Sequence, residues 1–159
     1  MCGFVGCIRN KENIDLGNII ESMNMLIDHR GPDDEGYYAD GNVSLGFRRL
    51  SIIALESGHQ PLSYENERYW IVFNGEIYNY LELRDELLQL GYEFTTESDT
   101  EVVVGLYSVY KEEVVSRLRG MFSFLIWDKH LKILFGARDP FGIKPFYYSE
   151  QEDITYFAS

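Results

Sequence analysis

The second residue of the chain is a cysteine, in the run Met1-Cys2-Gly3-Phe4-Val5-Gly6-Cys7. An initiator methionine before a small residue is commonly removed, which would leave Cys2 with a thiol and a free α-amino group on one residue. An α-amine has a reference pKa of about 7.7–8.0, against about 10.4 for lysine, so far more of it is neutral near pH 7 and able to take a thiol proton. That makes a nucleophile with a built-in base. Attack on an amide also needs donors for the oxyanion. Asn74-Gly75, directly after the apolar run 69–73, offers a side-chain amide and a backbone N–H that glycine opens to close approach. Arg49, at the end of an expected strand, could grip a carboxylate with its guanidinium fork. Glu76 and Asp99 together could hold an ammonium, so an amino-acid substrate would find both of its partners.

Each of these residues also has a plainer reading. Cys2 could be a small residue entering a strand, Arg49 a solvated strand-end charge, and Asp99 a first-turn helix acid. Asn74-Gly75 is also the usual dipeptide of a hairpin turn. The next residues, Glu76-Ile77-Tyr78-Asn79-Tyr80, lead into a helix start rather than a returning strand, which weighs against the turn.

The elements that must position these groups follow from periodicity. Residues 3–9 read as a glycine-punctuated strand, and Ile19, Ile20, Met23, Leu26 and Ile27 recur at helical spacing over 16–28. Residues 37–39, 43–47 and 69–73 read as strands. Asn79 with Glu82 forms one expected capping box, before a helix with Leu83, Leu87 and Leu90 on its stripe and Gly91 at its end. Ser98 with Glu101 forms another, before a helix that buries Val102, Val103, Leu106, Tyr107 and Tyr110; a short helical piece over 112–119 comes next. The period then changes to two: 121–127 and 131–137 read as a hairpin, and 146–148 with 154–158 as a further antiparallel pair. Helices grouped between hairpins favour an α+β layered fold over a doubly wound parallel sheet.

Composition narrows the partners. The 159 residues suit one domain, and 26 acidic against 14 basic residues leave a net charge of −12, which would repel nucleic acid and anionic membranes. The longest nearly apolar run, 121–127, is too short to span a bilayer, and no secretory leader is visible, so a cytoplasmic location is expected. In a strand, Cys2 and Cys7 lie about 16 Å apart on opposite faces and cannot pair. With only His29, His59 and His130 and no C-x-x-C or H-x-x-H spacing, no metal site is expected. His29-Arg30-Gly31-Pro32-Asp33-Asp34 and residues 138–145 read as rigid loops with local Arg–Asp pairs, and no phosphate-binding glycine loop or G-x-S-x-G is present.

Six motifs in order, Met1-Cys2-Gly3, His29-Arg30-Gly31-Pro32-Asp33, Arg49-Leu50-Ser51-Ile52, Asn74-Gly75-Glu76-Ile77-Tyr78-Asn79, Ser98-Asp99-Thr100-Glu101 and Arg138-Asp139-Pro140-Phe141-Gly142, closely resemble the glutaminase domain of glutamine-dependent asparagine synthetases. These are class II glutamine amidotransferases of the N-terminal-nucleophile hydrolase type. The resemblance implies a four-layer αββα sandwich of two antiparallel sheets. It implies Cys2 as the nucleophile with its α-amine as base, and Asn74 and the Gly75 amide as the oxyanion hole. Arg49 would take the glutamine α-carboxylate, Glu76 and Asp99 its α-amine, and Leu50, Ile52 and Ile53 would line the pocket. L-glutamine would be hydrolysed through a γ-glutamyl thioester, and the ammonia handed on to amidate a carboxylate, most directly that of aspartate.

Arg48-Arg49-Leu50-Ser51 stands where the glucosamine-phosphate synthase type carries Thr-Arg-Trp, and the phosphoribosyl-amine type usually lacks the His-Arg-Gly-Pro-Asp and Asn-Gly-Glu-Ile-Tyr-Asn segments. The Ser-Gly-Gly-x-Asp-Ser loop of the family's ATP-pyrophosphatase domain is absent. Residues 1–159 therefore read as a glutaminase domain shortened at its C-terminal end. No cofactor is expected in it; ATP and Mg would serve a synthetase domain of the same polypeptide, and a homodimer is among the assemblies open to it. The competing readings are a catalytically silent regulatory or interaction domain, and the glutaminase of another class II amidotransferase.

Overall fold

The computed structural model describes residues 2–10, 14–50 and 58–159; Ile52 and Ile53, expected to line the pocket, lie outside them. Two antiparallel sheets pack face to face. The first has strand order β2-β3-β1-β9-β8, with β1 Gly3–Arg9, β2 Asp34–Ala39, β3 Val43–Arg49, β8 Tyr147–Gln151 and β9 Ile154–Ala158. The second has order β4-β5-β6-β7, with β4 Leu62–Tyr64, β5 Tyr69–Ile77, β6 Gly120–Asp128 and β7 Ile133–Arg138. Helix α1, Leu16–Leu26, covers the first sheet; α2, Tyr80–Gln89, and α3, Asp99–Tyr110, cover the second, and the short α4, Val114–Arg117, leads into β6.

The side-chain period of two sorts each strand between layers. In β1, Phe4 and Ile8 join Val43, Leu45 and Phe47 of β3 and Val72, Leu125 and Trp127 of the second sheet, while Val5 and Cys7 pack against Leu16 and Ile20 of α1. In β5, Tyr69, Ile71 and Phe73 face Leu83 and Leu87 of α2 and Val102, Val103 and Leu106 of α3. The order α, β, β, α is the expected four-layer sandwich. Strand β6 is apolar almost throughout because both of its faces are buried. Trp127 reaches across the layers, its indole N–H donating to Asp40 Oδ2 at 2.6 Å. Among the described residues, no helix is long and apolar enough to cross a membrane.

Several local expectations change. Asn79 does not cap α2 through its side chain: its Nδ2 donates to the Arg117 carbonyl and its Oδ1 accepts from the Arg119 amide, stitching the helix start to the segment before β6. Ser98 does cap α3, accepting from the Thr100 amide, but Glu101 does not close the box. Its buried carboxylate accepts from the amides and hydroxyls of Thr95 and Thr96 instead. Leu26 is 78% exposed because α1 ends there and a single tight turn, Asp28–Arg30, succeeds it. Strand β5 runs on through Asn74-Gly75 to Ile77, so no hairpin turn forms there.

The loop after β7 is held by charge on backbone rather than by an Arg–Asp pair. Arg138 donates to the Lys144 and Gly142 carbonyls, and the buried Asp139 carboxylate accepts from the amides of Phe122, Phe141, Ile143 and Lys144 at 2.9–3.2 Å. Burial alone would raise the pKa of Asp139, but the four amides outweigh it and hold the carboxyl below its ordinary value of 3.8. A lowered folded-state pKa contributes stability above the ordinary value that is lost as pH falls through the folded one. Asp139→Ala should therefore cost about 3 kcal/mol at pH 7, read by denaturant unfolding. The gap to the parent chain should narrow as pH falls below 3.8 and on through the lower folded-state value; a gap that is flat with pH would remove the charge from the account.

Candidate active site

The period of two also predicts what lies one step beyond each apolar stripe. On β1 it carries the inner face from Phe4 to Cys2, which packs against the layer between the sheets. On β3 it carries that face from Phe47 to Arg49, 8% exposed, and on β5 from Val72 to Asn74, 2% exposed. Arg48, of opposite parity, turns to the α1 side and binds Asp28, Glu35 and the Asn24 carbonyl.

The three positions share one end of the sandwich. Gly3 lies opposite Arg48, so Cys2 sits beside Arg49, and the Cys2 thiol donates to the Leu50 carbonyl at 3.8 Å. On the other side of β1, the Ser159 amide donates to the Phe4 carbonyl, and Asn74 Nδ2 reaches from the second sheet to Ser159 Oγ at 2.8 Å. Arg30, placed in a loop by its sequence, instead donates from Nη2 to the Cys2 carbonyl at 3.1 Å. It anchors the backbone of the candidate nucleophile. The Arg49 guanidinium lies against Gly58, where a Cβ would come within 2.6 Å of Nη2 and push the guanidinium aside.

The free edge of β5 is the most informative part of the site. Phe122, opposite Gly75, exchanges hydrogen bonds with Asp139 on its far side, so Gly75 and Phe122 form a non-bonded pair in the β5–β6 ladder. The amides of Phe73, Gly75 and Ile77 therefore point out of the other edge, beyond the short β4. Gln60 Oε1 accepts from Phe73 at 2.6 Å and Asp99 Oδ2 from Ile77 at 3.0 Å. Between these two capped amides the Gly75 N–H projects from the edge next to the Asn74 side chain. The packing of the two strands itself requires glycine here: a Cβ would lie 2.3 Å from the Met121 carbonyl of β6.

Asp99 opens α3 and Glu76 lies on the adjoining strand, which brings the two carboxylates close enough to interact. Burial, and then the charge of Glu76, push the Asp99 carboxyl above its ordinary value of 3.8, against hydrogen bonds from the Ile77 and Thr100 amides. The partly buried Asp99 beside the exposed Glu76 offers a seat for a cation. Because the folded-state pKa is raised, the ionised group costs stability as pH rises through the ordinary value and then the folded one. Asp99→Asn should accordingly melt higher than the parent chain at pH 7, with the difference vanishing below pH 3.8; a lower melting temperature at pH 7 would contradict the desolvation. Among the described residues, no three His, Cys, Asp or Glu side chains are placed to share a metal ion.

The whole chain, residues 1–159, matches the family described as "Glutamine amidotransferase domain". It is 59% identical over 162 residues to asparagine synthetase [glutamine-hydrolyzing] 1 of Bacillus subtilis (strain 168), covering all of this chain and 26% of that protein. A putative asparagine synthetase [glutamine-hydrolyzing] of Mycobacterium tuberculosis (strain CDC 1551 / Oshkosh) is 44% identical over 175 residues, which cover this chain and 27% of the relative. The chain thus spans about a quarter of the length of these relatives. Among solved structures, a glutamine phosphoribosylpyrophosphate (PRPP) amidotransferase from B. subtilis superposes with a TM-score of 0.82 at 23% identity, over 99% of this chain and 41% of that one. A structure titled as the allosteric regulatory enzyme of purine biosynthesis gives 0.80 at 22%, over 99% and 42%. At such identities these two speak to the fold alone.

Proposed function

The chain belongs to the glutamine amidotransferase domain family, and from that premise we propose that it hydrolyses the side-chain amide of L-glutamine at Cys2 and supplies the ammonia to a synthetase domain of the same polypeptide. The observation that carries the reading is the edge of β5, where the Gly75 N–H lies between two capped amides beside the Asn74 carboxamide, at the end of the sandwich that holds Cys2.

The Cys2 thiolate attacks the amide carbon, and the α-amine, freed by loss of Met1, takes the thiol proton and returns it to the leaving nitrogen. The oxyanion is held by Asn74 Nδ2–H and the Gly75 amide. Ammonia departs, leaving a γ-glutamyl thioester, and water then attacks that carbonyl to release glutamate and restore the thiol. Arg49 takes the substrate α-carboxylate and Asp99 with Glu76 its α-ammonium, while Leu50 lines the pocket. Every group in this scheme is side chain or main chain, so the step needs no cofactor. The names of the relatives support aspartate as the carboxylate finally amidated, with ATP and Mg acting in the synthetase domain. Two free cysteines suit the reducing cytoplasm.

The test is steady release of equimolar glutamate and ammonia from glutamine by the purified protein. Arg49→Lys keeps the charge but loses the fork, and should raise the KM for glutamine by about 5- to 150-fold. No glutamate release from a chain shown by mass to begin at Cys2 would refute the glutaminase, and an unchanged KM in Arg49→Lys would refute the carboxylate clamp.

A further inference from the structure

Asn74 is useful as an oxyanion donor only if its carboxamide presents nitrogen and holds its plane. A free carboxamide turns about its last torsion with little restraint, and the turned form would set an oxygen against the developing negative charge. On the strand beside it, Ser123 faces Asn74 in the β5–β6 register and is fully buried, and its hydroxyl makes no hydrogen bond. Restraint comes instead from the first sheet. Ser159 Oγ, on a residue 5% exposed and 85 positions away, accepts from Asn74 Nδ2 at 2.8 Å. Ser159 is itself fixed by its amide, which donates to the Phe4 carbonyl two residues from Cys2.

We propose that Ser159 is a positioning residue for the oxyanion hole, holding one N–H of the Asn74 carboxamide so that the other stays aimed at the reacting carbonyl. An NH₂ group has two donors in one plane. Tying one to a fixed acceptor sets the direction of the second without consuming it. The same hydrogen bond crosses from β5 to the end of β9, which lies against β1, so the register of the two sheets is built into the aim of the donor. This rests on the reading of Asn74 as an oxyanion donor and adds the group that orients it.

The experiment is a double-mutant cycle of Ser159→Ala and Asn74→Ala in the complete polypeptide, reading kcat and KM for glutamine. Ser159→Ala should lower kcat about tenfold with KM within about twofold, and should have no further effect once Asn74 is alanine. Ser159→Cys, similar in shape but a poor acceptor, should show the same loss, and Ser159→Thr should restore most of the activity. A small drop in melting temperature, no larger than that of Asn74→Ala, together with an unchanged alkylation rate at Cys2 would separate a lost aim from a lost fold. The proposal falls if Ser159→Cys turns over glutamine at the parental rate, or if Ser159→Ala costs the same factor in both backgrounds. If Asn74→Ala alone leaves kcat intact, the oxyanion reading itself is overturned, an outcome distinct from either of these.

Discussion

Cys2→Ala should reduce glutamate release by more than about 10⁴-fold while leaving the melting temperature almost unchanged. The asymmetry comes from how the residue is held. Its backbone is fixed by the neighbouring ladder and by Arg30 on its carbonyl, and among the described residues its thiol makes one hydrogen bond, a weak one at 3.8 Å to the Leu50 carbonyl. Alanine keeps the first two and removes only the sulfur. No second thiol can substitute, since burial pushes the Cys7 thiol up to about 11, and it faces α1 rather than the layer between the sheets. A protein that retains Met1 should be as inactive as Cys2→Ala although its thiol is intact, because the proposed base is then an amide. Intact mass distinguishes the two samples, and glutamate release unchanged by Cys2→Ala would end the case for an N-terminal nucleophile.

Asn74→Ala should lower kcat by about 10²–10³-fold with little change in KM, the pattern of a donor whose partner carries charge only in the transition state. Residual turnover is expected because the Gly75 amide remains, its direction set by the strand rather than by Asn74. The substitution should also cost about 1 kcal/mol of stability, since it leaves the buried Ser159 hydroxyl without its donor. Saturation kinetics decide the matter: a raised KM with kcat intact would make Asn74 a ground-state binding residue instead.

Much of this arrangement can be read from short-range pattern. Alternation along residues 3–9 and 43–49 separates Cys2 from Cys7 and Arg48 from Arg49, and the structure keeps both separations. The hairpin over β6 and β7, the four layers, and the glycine that ends α2, Gly91 at φ +87°, arise from period and turn chemistry. The features that escape are set by distance along the chain or by competition between equal partners. Nothing local indicates that Arg30 meets a carbonyl 28 residues earlier, or that Ser159 meets Asn74. Glu101 could serve the amide of Ser98 or those of Thr95 and Thr96, and only the path of the preceding loop decides in favour of the threonines. Asn79 loses its capping role in the same way, because the backbone of 117–119 presents both a donor and an acceptor to its carboxamide. Three residues of β4 are too few for a period to register.

The shortness of β4 also bears on how the molecule avoids its own copies. A strand whose neighbour stops early presents a row of backbone donors to any other extended chain, the usual template for strand addition and aggregation. On β5 the amides of Phe73 and Ile77 are already taken by Gln60 and Asp99, so an incoming strand would find its rungs occupied on either side of Gly75. Among the described residues, the Gly75 amide alone is left between them, too little for a foreign ladder and enough to meet a single oxygen atom.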